Sequence, residues 1–100
     1  MPQRPVIYYA VTLEQGENWN PELSRRQQEK WDEHAAFMDA LVEEGVVVLG
    51  GPLGSGEQVL LIFNAASEQE IAARLAADPW TPMRILRTVK VEQWEILLGR

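Results

Sequence analysis

Three segments of this chain are apolar without alternation: Val6–Val11 inside a longer run Pro5–Leu13, Val46–Leu49, and Gln58–Phe63. Successive residues of a strand point to opposite faces, so a strand wetted on one side alternates apolar and polar side chains. These three do not alternate and are expected to be strands covered on both faces. The chain has 100 residues, enough for one domain spanning 1–100 and a modest core. Its helices can shield only one face of a sheet. The other face then needs a ligand or a second copy of the chain.

The punctuation between these runs sets the order of elements. Asn20-Pro21 starts a helix, with Asn at the N-cap and Pro in the first turn, and Gly45 stops it after Glu44. Its early part, Ser24–Lys30, is nearly all polar; the amphipathic part is Trp31–Val42. Glu14–Trp19 is a polar loop, and Gly50–Gly56 reads as a loop rich in Gly and Pro. Ser67 with Glu70 three residues on matches a capping box and opens a second helix, which Asp78-Pro79 ends. Trp80–Leu86 leaves room for one more helical turn, and Val89–Leu98 is the last strand. The order βαββαβ predicts an α+β, ferredoxin-like plait: a four-stranded antiparallel sheet with two helices on one face. The bare apolar face predicts a homodimer whose sheets face each other as a barrel.

Charge and residue usage remove several function classes. A formal charge of −6 opposes nucleic-acid binding, and the basic cluster Arg25, Arg26 and Lys30 is flanked by acids. There is no cysteine and one histidine, too few ligands for a disulfide framework or a zinc site, so no metal is expected. Gly50–Gly56 lies between strands and lacks a Lys-Ser/Thr pair, so no phosphate loop and no nucleotide cofactor are expected. Six consecutive apolar residues, Val6–Val11, are too few to span a membrane or form a signal-peptide core. The chain reads as soluble and intracellular, most simply cytoplasmic.

His34, the only histidine, sits on the apolar stripe of the first helix with Trp31, Ala35, Met38, Leu41 and Val42. Imidazole, with an ordinary pKa of about 6.5, suits proton transfer near neutrality. A core histidine satisfied by a backbone carbonyl has the same pattern. Asp78 follows Ile71 and Leu75 on the inward face of the second helix, at its carboxyl end, where a carboxylate opposes the helix dipole by a few tenths to about 1 kcal/mol. The same dipeptide, Asp-Pro, also starts ordinary turns. If His34 reaches Asp78, the carboxylate would fix the ring's tautomer and orientation. At its helix end Asp78 could turn to water, so His34→Ala should harm function more than folding. Tyr8 and Tyr9 point to opposite faces of the first strand, so one faces the barrel interior; both also suit a core. Trp80 and Trp94 suit packing.

His34–Leu53 (His-Ala-Ala-Phe-Met-Asp-Ala-Leu-Val-Glu-Glu-Gly-Val-Val-Val-Leu-Gly-Gly-Pro-Leu), Asp78-Pro79-Trp80 and Val91–Ile96 resemble the YciI-like (YCII-related) family. The histidine, Gly45, Gly51-Pro52, Asp78-Pro79 and Trp94 stand in the family's order and spacing along essentially the whole chain. The resemblance implies the dimeric α+β barrel superfamily and a catalytic pair His34–Asp78. One branch of the family is a dehydrochlorinase acting on a chlorinated hydroxyquinol. Two positions depart from the pattern: Gln93 replaces a common proline, and Arg84 a common glycine. Arg84 would narrow the cavity, attract an anionic substrate, or lie solvated at the surface. Tyr8, Tyr9, Gly51, Pro52, Trp80 and Arg84 are the candidate substrate-binding residues. The favoured reading is a cofactor-independent acid–base enzyme for a small cyclic or aromatic molecule, by elimination, dehydrochlorination or isomerisation. The competing reading is a non-catalytic ligand-binding or assembly dimer in which His34 and Asp78 only tie helices to the sheet.

Overall fold

In the computed structural model, which describes residues 7–99, strands and helices follow the order β1 (Tyr8–Gln15), α1 (Trp31–Glu43), β2 (Val47–Leu53), β3 (Gln58–Asn64), α2 (Glu68–Ala76) and β4 (Leu86–Trp94). Pro5 and Val6, the expected start of the first strand, lie outside the described residues. The sheet order is β2-β3-β1-β4, with every neighbouring pair antiparallel, as the plait requires. Val11, in the middle, pairs with Leu61 on one side and Val91 on the other.

Alternation along β1 and β3 sorts the sheet into two faces. Tyr9, Val11, Leu13, Val59, Leu61 and Phe63 are buried in one cluster with Leu41 of α1 and with Ile71 and Leu75 of α2, so both helices cover the same face. Full burial of each such aliphatic side chain contributes about 1.5–3 kcal/mol. Ala10, Leu60, Leu49, Leu53 and Trp94 occupy the opposite face by register. There Leu49 is 62% exposed, so the helices leave that face open. Among the described residues, no helix is long and apolar enough to cross a membrane.

The caps act locally, as sequence reasoning anticipates. Gly45, at φ 77, lets the Gly45 N–H reach Val42 O and the Val46 N–H reach Leu41 O, the paired bonds of a Schellman stop. Ser67 Oγ accepts from Glu70 N at 3.1 Å, and the Glu70 carboxylate accepts from the Ala66 N–H at 2.8 Å.

Three boundaries differ from expectation. The first helix does not run from Pro21; it starts at Trp31, after a short 3₁₀ turn at Arg25–Gln27. Asn20 does cap, accepting from Glu22 N at 2.9 Å, but the polar residues behind it offer no apolar stripe to bury. Lys30, at φ 61, then breaks any continuous helix. Gly50–Leu53 is strand rather than loop: Gly51 pairs with Leu60 and Pro52 with Val59. Pro52 is tolerated because β2 is an edge strand, where a missing N–H costs no ladder bond. Lastly, β4 spans Leu86–Trp94 rather than Val89–Leu98, since its ends match Gln15 and Tyr8 of β1, with Val89 bulged out between Thr88 and Lys90. Residues 80–85 form turns without a further helix.

Candidate functional site

The amphipathic stripe of α1 places His34 against the sheet, 7% exposed. Asp78 follows the end of α2, held by its N–H on Leu75 O, and is 2% exposed. The two meet: His34 Nδ1 lies 3.0 Å from Asp78 Oδ1 and 2.9 Å from Oδ2. Oδ1 also accepts the Trp80 N–H at 2.9 Å. An ionised carboxylate only accepts, so Nδ1 carries the proton and Nε2 keeps its lone pair in the neutral ring. Because Asp78 is enclosed, it cannot turn to water when His34 is removed, contrary to the expectation from its helix-end position.

The rings around His34 fix its plane. Trp80, fully buried, stacks on the imidazole with centroids 3.9 Å apart and planes 6° apart. Trp80 Nε1 donates to Glu29 O at 2.6 Å, and Trp19 meets Trp80 edge-on at 6.0 Å. Trp31 closes the cluster, 5.7 Å from the imidazole. A ring held by a carboxylate at one edge and a stacked indole on its face has little freedom to rotate.

Among the described residues, no buried side-chain nitrogen or oxygen lacks a hydrogen-bond partner. Nε2 makes no such bond, so it is not sealed, and His34 lines a cavity. That cavity holds about 220 Å³ between α1 and the sheet. Its walls are Leu13, Met38, Val59, Leu61 and Leu86, with Gly50, Gly51 and Pro52 at the β2 edge. Larger hollows of about 380, 460 and 470 Å³ lie elsewhere on the surface, but neither His34 nor Asp78 lines them. A base in an apolar recess can take a proton from a small ligand while bulk water is largely excluded. Among the described residues no group of three or more His, Cys, Asp or Glu side chains is placed to hold a metal ion.

Of the other expected site residues, Gly51 and Pro52 line the cavity with His34. Tyr9 packs in the core cluster, paired with Phe63, and Tyr8 projects to the opposite face. Trp80 supports the imidazole from behind and does not line the cavity. Arg84 is a surface residue paired with Glu17. Its φ of 59 is the left-handed conformation that glycine adopts freely, and a Cβ on neighbouring Gly16 would strike the Arg84 carbonyl oxygen.

The sequence pattern did not point to the segment that closes the cavity. Buried Gln28 donates from Nε2 to Asn20 O at 2.8 Å and to Leu23 O at 3.2 Å, while its Oε1 accepts the Asn20 N–H at 3.0 Å. This clasp folds residues 20–28 into a closed loop and sets Arg25 at the cavity wall. The amide pair Gln27-Gln28 within a polar run was the only sequence sign of it. Burial pushes the Arg25 guanidinium below its usual pKa while leaving it cationic.

The YCII-related domain family matches residues 7–95 of the chain. No curated protein matches it.

Proposed function

The chain belongs to the YCII-related domain family, and from that footing we propose that it is a small-molecule enzyme working by acid–base chemistry without a cofactor. His34 Nε2 takes a proton from a substrate seated in the cavity and returns it at the departing or rearranging position. Asp78 holds the ring in the productive tautomer and balances the imidazolium that forms. The observation that carries this reading is the enclosed His34–Asp78 pair on the wall of an apolar recess, its far nitrogen left without a partner. The aliphatic walls suit a cyclic or aromatic substrate, and proton abstraction from one leads to elimination, including loss of chloride, or to isomerisation. A positioned base typically contributes about 10²–10⁴-fold in rate.

The test is a panel of cyclic ketones and chlorinated hydroxyquinols, with deuterium uptake from D₂O and chloride release followed by NMR and ion analysis. At least one compound should turn over, with the rate falling about 10²–10⁴-fold in His34→Gln. A rate that His34→Gln leaves untouched would remove His34 from the chemistry.

We further propose a homodimer that covers the open sheet face. The support is the apolar surface of Leu49, Leu53 and Trp94, which the helices do not reach. A stable pair should bury roughly 1,200 Å² or more in total. Sedimentation at micromolar concentration tests it, and a Leu49→Glu variant should dissociate the pair.

One observation favours a second reading. Asp78 also anchors the Trp80 N–H, and His34 stacks on Trp80, so the same groups tie α1 to the segment after α2. A purely binding or assembly domain would need them for that alone.

A further inference from the structure

Arg25 is the one charged side chain on the cavity wall that His34 lines, and no described carboxylate balances it. Among the described residues, Arg74 pairs with Glu44, Arg84 with Glu17 and Arg87 with Glu14, whereas no carboxylate pairs with Arg25. Its guanidinium donates from Nη2 to Gly56 O at 2.9 Å and lies 5.1 Å from the Trp19 ring centroid. A guanidinium carries five N–H donors, so most of them remain available. The group is nonetheless held in place by the Gly56 carbonyl and the Trp19 ring, on a loop that the Gln28 clasp closes. It is also partly desolvated, which strengthens its attraction for an anion.

From this placement we propose that Arg25 is the substrate-recognition residue of the cavity and that the ligand is a small cyclic or aromatic carboxylate. The carboxylate engages the free edge of the guanidinium. The apolar ring fills the space between Leu13, Met38, Val59 and Leu61, and His34 Nε2 faces the ring's far side. Planar bidentate pairing suits a carboxylate, and the volume of about 220 Å³, below the roughly 300–1,000 Å³ of typical ligand pockets, limits the ligand to a small one. This inference rests on the cavity being the working site, but it concerns recognition rather than proton transfer.

Benzoate is the probe, with benzamide as its uncharged counterpart, and binding is read from backbone amide shifts at Gly51 and His34 in the intact protein. Benzoate should bind with a dissociation constant of about 10 mM or tighter and benzamide at least tenfold more weakly. Arg25→Gln, which keeps a donor for Gly56 O, should weaken benzoate by about 10–100-fold, as expected for losing a charged hydrogen-bond pair. Arg26→Gln removes the same charge one residue along, off the cavity wall, and should leave binding unchanged. Benzoate failing to bind, benzamide binding equally well, or Arg25→Gln binding as the native chain does would each overturn the proposal. His34→Gln separates this inference from the catalytic one: it should lower turnover by about 10²–10⁴-fold yet leave benzoate bound.

Discussion

Asp78→Asn should reverse the tautomer of His34 while leaving the fold standing. In the native site Oδ1 receives the Trp80 N–H at 2.9 Å, and His34 Nδ1 lies 2.9 Å from Oδ2 and 3.0 Å from Oδ1. An asparagine has one acceptor for these two positions. If its oxygen faces Nδ1–H, its NH₂ meets the Trp80 N–H donor to donor, and a buried amide loses its bond. That costs about 1–3 kcal/mol, which disfavours the arrangement by about 5–150-fold. If the oxygen stays on Trp80 N, the NH₂ takes the closer contact with Nδ1, which favours a lone pair there and the proton on Nε2. The base is thereby withdrawn from the cavity. In serine proteases the corresponding Asp→Asn change lowers turnover by about 10⁴ through the same tautomer error. Stability should fall by only about 1 kcal/mol, since Asn keeps the bond to Trp80 and still hydrogen-bonds the ring. Because the chain has a single histidine, a long-range ¹H–¹⁵N correlation of the neutral ring reads the tautomer without assignment ambiguity. The native ring should be protonated at Nδ1 and the variant's at Nε2. Finding Nδ1–H retained in Asp78→Asn would refute the reasoning, as would Nε2–H in the native protein.

Other substitutions test the parts around the dyad. His34→Ala should lower stability by about 1–3 kcal/mol as well as abolish turnover, because it leaves the enclosed Asp78 carboxylate without its donor and Trp80 without its stacked ring. At fixed protein concentration this corresponds to about 4–8 °C in Tm per kcal/mol, and an unshifted melt would show Asp78 more accessible than its 2% exposure implies. Gln28→Ala should speed amide exchange across residues 19–28 and weaken benzoate binding, with the His34 ring signals unmoved; slow exchange there would mean another contact holds the loop. Arg84→Gly should raise stability by about 0.5–1 kcal/mol, the left-handed strain relieved less the entropic cost of glycine, since the exposed Glu17 pair is worth little. A lower Tm would show that the pair outweighs the strain.

Which features were legible follows from the range of the interactions that create them. Gly45 and Ser67 stop and start their helices through bonds within a few residues, so their signals survive in the sequence. His34 and Asp78 are 44 residues apart, yet their meeting was also readable. Each sits at a stripe position of a helix pattern, and both stripes bury against one sheet. Asn20-Pro21 shows the limit: its cap forms, but a helix continues only where tertiary burial supports it, and the next ten residues offer a single aliphatic side chain, Leu23, and no stripe. Gly50-Gly51-Pro52 misled for a related reason, since breaker residues mark a loop only if the strand is not at an edge.

Arg25 lies beyond that limit altogether. Its position depends on Gln28 closing a loop on Asn20, on Trp19 seated against Trp80, and on the carbonyl of Gly56 across the β2–β3 turn. None of these contacts leaves a period or a short motif. The dyad that can move a proton therefore lies on elements whose pattern announces them. The group that would choose the substrate lies on a segment ordered by single side-chain bonds. If both proposals hold, reaction type is carried by the helices and strands, and specificity by residues 16–30. Exchanging that segment should change which molecule is bound without disturbing the His34–Asp78 bond. The tautomer assay and the benzoate titration, run on one such chimera, would separate the two properties. Loss of the Nδ1–H signal together with benzoate binding would mean that loop and dyad are a single cooperative unit and that this division is wrong.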